Sequence, residues 1–201
     1  MTGRDAIQAY EQHAKKFLDA RDASQTGADV VKRWARSLHS GASVLELACG
    51  GGFPITSALI SAGLDVHAID SSPTLLETFQ ARFPEVPVRC ESVQASTFFD
   101  RNFDAVIAVG LMFLLSEPDQ IDLMGRVANA LRPGGRFLFS APVQAGTWSD
   151  MTTGVDSVSL GADVYERTLA EAGFRVIQRI VDQGDNNYYD SVFDTPAVPI
   201  D

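Results

Sequence analysis

The chain has 201 residues, 45% hydrophobic and 21% charged, which is the size and balance of one compact domain with its own core and too apolar for a disordered chain. No stretch reaches the ~18–20 uninterrupted apolar residues of a membrane span, and the opening Met1-Thr-Gly-Arg-Asp5 lacks a basic-then-apolar leader pattern, which argues against export. The net charge is −10, with seven Lys and Arg against five Asp and Glu in the first 40 residues and nine against 21 in the rest; a body that acidic repels phosphate backbones, so no nucleic-acid partner is expected.

In chain order, Ile7, Tyr10, Ala14 and Phe17 recur at helical spacing and predict one helix with an apolar stripe, and Val31, Trp34 and Leu38 predict a second. Ser43–Leu47 reads as the first strand, followed by a helix marked by Ile55, Leu59 and Ala62. Val66–Ile69 is the second strand. Ser71, Ser72 and Pro73 start the next helix, whose buried face is Leu76, Phe79 and Phe83. Pro87–Cys90 and Ala105–Val109 are the third and fourth strands. Glu117 and Pro118 open a helix carrying Ile121, Met124, Val127 and Leu131, which Arg132-Pro-Gly-Gly135 ends before a strand over Arg136–Ala141.

Gln144–Leu160 reads as a long loop. Phe174–Val181 is a sixth strand, and the short, turn-rich Asp182–Asn186 predicts a hairpin into a seventh over Asn187–Phe193. Strands alternating with helices imply α/β architecture, a doubly wound and mostly parallel sheet covered on both faces, with an antiparallel strand at the hairpin. The expected organisation is a single domain: residues 1–40 a helical cap, 41–193 the core, and 194–201, with two prolines, a tail that frays.

Two cysteines, Cys49 and Cys90, and three scattered histidines, His13, His39 and His67, make neither a disulfide framework nor a zinc ligand set, so no metal is expected and a reducing cytoplasm is the simplest setting. The sharpest motif is Val44-Leu-Glu-Leu-Ala-Cys-Gly-Gly-Gly-Phe53 at the end of the first strand. Its glycines let the backbone approach a ligand and leave N–H groups free at a helix start. Asp70 closes the second strand, where a carboxylate can accept hydrogen bonds from both ribose hydroxyls of a nucleoside. The dinucleotide pattern G-x-G-x-x-G fails because residue 55 is Ile55, and no G-x-x-x-x-G-K-[ST] occurs.

These residues resemble the class I S-adenosylmethionine-dependent methyltransferases. The family's first motif, (V/I)-L-(D/E)-x-G-C-G-x-G, matches Val44–Gly52 with Ala48 in place of its first glycine. Asp70 followed by a Ser-Pro helix start, Phe103-Asp104, Leu131-Arg-Pro-Gly-Gly-Arg-Phe137 and Leu169-Ala-Glu-Ala-Gly-Phe174 follow in the family's order, over roughly residues 40–193. The resemblance implies the sheet order 3-2-1-4-5-7-6 with strand seven antiparallel. It also implies S-adenosylmethionine as cofactor, with S-adenosylhomocysteine as product. On this pattern Ala48, Cys49, Gly50 and Gly52 would meet the methionine end with Glu46 near its amino group, Asp70 would hold the ribose, Ser71 would also contact the cofactor, and Glu91, Ser92 and Val93 would lie near the adenine. Val109 and Gly110 would back the sulfonium.

Methyl transfer from a sulfonium is a direct displacement in which the protein aligns the reactants and excludes water, so scarce His and Cys are no obstacle. The acceptor is expected to be a small molecule, bound by the least generic parts of a monomer or homodimer. Candidates for a lid or acceptor pocket are Tyr10 and Phe17, which could equally be a core-facing stripe, with Trp148, Asp150, Asn187 and Tyr188. The wholly apolar Leu111–Leu115 offers no general base, and no catalytic residue is assigned. Two other readings stay open: a methyltransferase-like domain that binds the cofactor without catalysis, and an atypical NAD(P)-dependent oxidoreductase.

Overall fold

The computed structural model describes residues 3–194. Helices α1 (Gly3–Gln12), α2 (Ala14–Asp22) and α3 (Ala28–Ala35) precede β1 (Ser43–Leu47). They are followed by α4 (Ile55–Ser61), β2 (Asp65–Asp70), α5 (Pro73–Arg82), β3 (Val88–Cys90), β4 (Phe103–Ala108), α6 (Glu117–Ala130) and β5 (Leu131–Ser140). A hairpin of β6 (Gly146–Ser149) and β7 (Asp156–Ser159) comes next, then α7 (Ala162–Glu171), β8 (Phe174–Val181) and β9 (Asn187–Phe193). Seven strands make one sheet in the order β3-β2-β1-β4-β5-β9-β8. It is parallel from β3 to β5, and β9 runs antiparallel to both neighbours. This is the expected α/β sheet with its antiparallel hairpin strand.

Alternation along the central strands explains the two covered faces. In β1, Val44 packs with Trp34 of α3 and Ile55 and Leu59 of α4, while Leu45 and Leu47 face the opposite cluster with Leu123, Met124 and Val127 of α6. In β5, Leu138 joins the first cluster and Phe137 and Phe139 the second, as the period of two demands. The helices start where their chemistry allows: Ser72 caps α5 by accepting from Leu75 N–H, and Ser116 caps α6 by accepting from Asp119 N–H, each with a proline next or next but one.

One buried carboxylate ties the N-terminal helices to the far side of the sheet. Asp190 on β9 is 0% exposed and accepts from Trp34 Nε1 (3.1 Å), Arg136 Nε (3.1 Å) and Gln178 Nε2 (3.0 Å). A charge so placed is tolerated because its lone pairs are occupied by donors, one of them a guanidinium.

Three features differ from the sequence reading. The stripe through Ile7, Tyr10, Ala14 and Phe17 lies on two helices, because His13 leaves helical geometry (φ −108, ψ 13) and its Nδ1 sits 2.8 Å from Ala9 O, a local contact that competes with the helical ladder. The loop over residues 144–160 contains the β6–β7 hairpin, a second small sheet. Pairing of β5 begins already at Leu131, opposite Phe103, and resumes at Arg136 after an irregularity at the Pro-Gly-Gly turn. The tail expected to fray, residues 195–201, lies outside the described residues. No helix among the described residues is long and apolar enough to cross a membrane.

Candidate functional site

The loops that leave β1, β2, β3 and β4 at their carboxyl ends surround a cavity of about 310 Å³, at the lower end of the ~300–1,000 Å³ usual for small-molecule sites. Its floor is made largely of backbone held in unusual conformations. Ala48 (φ 57), Gly50 (φ 56) and Gly110 (φ 76) all line it in the left-handed region. Ala48 bears a strain that glycine would avoid, and its place right after β1 fixes where the loop turns.

Asp70 at the end of β2 holds this floor together. Its Oδ2 accepts from Gly50 N–H (2.8 Å) and its Oδ1 from Ser72 N–H (2.9 Å), so one carboxylate braces both the glycine loop and the start of α5. Burial raises its pKa, and those N–H groups oppose the rise. On the β4 side, Ser140 at the end of β5 accepts from Gly110 N–H (2.8 Å). A Cβ on Gly110 would meet nothing within 4 Å, so that residue borders open space.

Beside the main cavity lies a smaller one of about 30 Å³, bordered by Glu46, Cys49, Phe17 and Arg21. Glu46 is fully enclosed and accepts from Thr56 Oγ1 (2.7 Å). Desolvation pushes its pKa up to about 8, against the pull of Thr56 and of the Arg21 guanidinium. Cys49 is buried, and that burial raises its thiol well above the usual range, which makes it a poor nucleophile.

The roof comes from α1, α2 and the β6–β7 hairpin. Phe17 lies over Gly50, 3.1 Å from where a Cβ would stand, and meets Tyr10 edge-on at 5.6 Å between ring centroids. Tyr10 OH donates to Asp150 Oδ2 at 3.3 Å, bridging α1 to the hairpin. Burial, then the Asp150 carboxylate, raises the Tyr10 pKa. Glu11 accepts from the hydroxyls of Ser72 and Thr74 at the head of α5, and Arg82 donates to Asp22 Oδ1 (2.8 Å) and to Gly51 O (3.2 Å), fastening α2 to the glycine loop.

Of the residues singled out in the sequence, Ala48, Gly50, Asp70, Ser71, Glu91, Ser92, Val93, Val109 and Gly110 border the main cavity, as do Tyr10, Phe17, Asp150 and Tyr188. Glu46 and Cys49 border the small adjoining one. Gly52 borders neither: a Cβ there would stand 2.4 Å from the Phe83 ring and 2.9 Å from Phe79, so it is a glycine for packing against α5. Trp148 faces Phe113 at 5.6 Å, outside the cavity lining. Asn187 also lies off the wall, which its neighbour Asn186 reaches instead.

Sequence reasoning missed Arg21, Ser140 and Asn186 among the lining residues. Arg21 had a signal, since it falls one helical turn after Phe17 and extends the same stripe. Ser140 and Asn186 had none, because their places depend on how β5 and the β8–β9 turn meet the loops.

A family model described as a methyltransferase domain matches residues 44–135. The chain is 34% identical over 119 residues to the aklanonic acid methyltransferase DauC of Streptomyces sp. strain C5, covering 54% of this chain and 52% of the relative. It is 28% identical over 163 residues to a ubiquinone biosynthesis O-methyltransferase of Xanthomonas campestris, covering 79% and 59%. The chain thus spans little more than half the length of these relatives. Among solved structures it is similar to the N-methyltransferase NodS of Bradyrhizobium japonicum, with S-adenosylhomocysteine bound, at a TM-score of 0.73 and 19% identity over 94% of this chain and 98% of that one.

Proposed function

We propose that this chain, whose fold and central motifs are those of the class I S-adenosylmethionine-dependent methyltransferases, moves a methyl group from that cofactor to a small-molecule acceptor and releases S-adenosylhomocysteine. One observation carries the reading: the glycine loop, Asp70, the Glu91–Val93 stretch and Gly110 converge on a single cavity at the carboxyl ends of the parallel strands, where open α/β sheets bind their ligands.

The residues fit the cofactor. Gly110 leaves free space where a side chain would intrude, Val93, Leu75 and Leu111 offer an apolar slot for a flat base, and each Asp70 oxygen keeps a lone pair beyond its bond to the backbone. We assign the ribose hydroxyls to Asp70 and Ser71, the adenine to Glu91, Ser92 and Val93, and the methionine end to Ala48 and Gly50. Val109 and Gly110 back the sulfonium. Glu46 and Cys49 reach the methionine end through the small adjoining cavity, and Gly52 acts by shaping the loop.

The cofactor brings a methyl group already activated on a sulfonium, so the chain supplies alignment rather than a nucleophile. Ser140 props Gly110, and with it the wall behind the reacting carbon. Phe17 and Tyr10, closing over the glycine loop, keep water out. A proton acceptor is needed only where the acceptor must lose a proton. Two free cysteines support a reducing, cytoplasmic setting, and the acidic body supports a small-molecule acceptor over nucleic acid; a monomer or homodimer suits such a site.

Thermal unfolding followed during titration tests the reading. S-Adenosylhomocysteine stabilises the native state by mass action if it binds there and raises the midpoint. No shift at about millimolar concentration, or a shift with NAD(P) instead, overturns the proposal. Binding without any label transfer from donor to a metabolite extract would favour the cofactor-binding domain without catalysis.

A further inference from the structure

The roof of the cavity carries a carboxylate whose two oxygens are used unequally. Asp150 stands just after β6, and its Oδ1 accepts from Thr152 N–H (3.1 Å), Thr153 N–H (2.8 Å) and Thr153 Oγ1 (2.7 Å). These bonds belong to the hairpin's own turn and fix the direction of the carboxylate. Asp150 borders the cavity, and the partner of its Oδ2 is the Tyr10 hydroxyl at 3.3 Å, long for an O–H···O bond.

None of the ion pairs among the described residues includes Asp150. The neighbouring wall is apolar, with Ile7, Leu111, Phe113 and Leu114. The guanidinium on the cavity, Arg21, lies instead among Glu46, Asp182 and Tyr188. A fixed anion against an apolar wall, without a countercharge from the chain, favours a ligand that brings a cationic or N–H donor group and disfavours an anionic one.

We infer that the methyl acceptor is a small, otherwise apolar amine, and that Asp150 is the specificity-determining residue that holds its nitrogen. The inference rests on the methyltransferase reading and names the substrate class of that same site. The bound ammonium gives one proton to the Asp150 carboxylate, which passes it to water. The freed nitrogen lone pair forms the N–C bond as the electron pair of the C–S bond goes to sulfur, leaving a neutral thioether and a methylated ammonium.

The test uses the full chain saturated with S-adenosylhomocysteine and three probes of one skeleton: 2-phenylethylamine, 2-phenylethanol and phenylacetate, followed by ligand-observed NMR. The amine is expected to bind at least about fivefold more tightly than the alcohol, with phenylacetate weakest, as charge-assisted hydrogen bonding to a carboxylate requires. Asp150→Asn keeps an acceptor oxygen for the turn, and should bring amine and alcohol to within about twofold while leaving S-adenosylhomocysteine binding within about twofold. Tyr10→Phe frees Oδ2 and should keep the amine preference.

An amine that binds no more tightly than the alcohol, or a preference that survives Asp150→Asn, overturns the inference. Failure of S-adenosylhomocysteine to bind the unaltered chain overturns the methyltransferase reading and the inference with it. Binding of that product without amine preference overturns the inference alone.

Discussion

The floor and the roof of the cavity are built by different means. The floor is backbone: left-handed turns at Ala48, Gly50 and Gly110, braced by the buried Asp70 and by Ser140, all within a few residues of the ends of buried strands. The roof is side chain: Tyr10 to Asp150, Glu11 to Ser72 and Thr74, Arg82 to Asp22, each a contact between elements far apart in sequence and partly open to water. Left-handed backbone anchored at the ends of buried strands holds one geometry, whereas a few partly exposed clasps open at smaller cost. The cavity thus pairs a rigid half with a releasable one.

The sharpest way to break this contrast is at Gly52. Alanine there combines a left-handed φ of 82 with overlap against Phe79 and Phe83 and should cost about 2–4 kcal/mol of stability, read by denaturant unfolding; a loss under about 0.5 kcal/mol would show that the glycine loop, and the floor it carries, is not held rigidly against α5. Next is Asp70→Ala, which should weaken S-adenosylhomocysteine by about 1–3 kcal/mol through lost charge-assisted hydrogen bonds; unchanged affinity by calorimetry refutes the ribose assignment.

Glu46 gives a pH signature. With its pKa near 8 it is mostly protonated in the free protein at neutral pH, and an ammonium bound beside it favours the ionised form. Affinity for S-adenosylhomocysteine should therefore rise with pH, by up to about tenfold per unit, and level off above the free-state pKa. Glu46→Gln should flatten the curve, and a curve of unchanged slope in that variant argues that the ammonium lies elsewhere. The smallest effect belongs to the roof: Tyr10→Phe should cost less than about 1 kcal/mol of stability, as partly exposed hydrogen bonds do, while speeding ligand release in stopped-flow measurements. A larger loss of stability would mean that the roof is part of the core.

This division also marks what the sequence made legible. The floor was readable because its requirements are local: glycines that must turn, a carboxylate at a strand end, Ser-Pro at a helix start. The sheet order agreed with the one that the family resemblance implies, while strands alternating with helices by themselves required only a mostly parallel, doubly wound sheet. Of the roof, Tyr10, Phe17 and Asp150 were legible as candidates for a lid or acceptor pocket, but the bond between Tyr10 and Asp150 was not, because the two are 140 residues apart and nothing local announces their meeting. In the hairpin around Asp150, β6 is exposed and β7 buries Ser157 and Ser159 in place of apolar side chains, so neither strand shows apolar alternation and the segment read as loop. The break at His13 falls inside an unbroken helical period, which records the face of a helix and not its continuity.

Asp70 is fastened to Gly50 and Ser72 with the same two oxygens that we assign to the ribose. A carboxylate with both duties constrains redesign. Anyone seeking to retune this protein toward an altered nucleoside, or a cofactor analogue with a bulkier sugar, meets a coupled problem. Replacing Asp70 would release two backbone donors as it changed the selectivity, so the exchange calls for a second substitution that supplies new acceptors for Gly50 and Ser72.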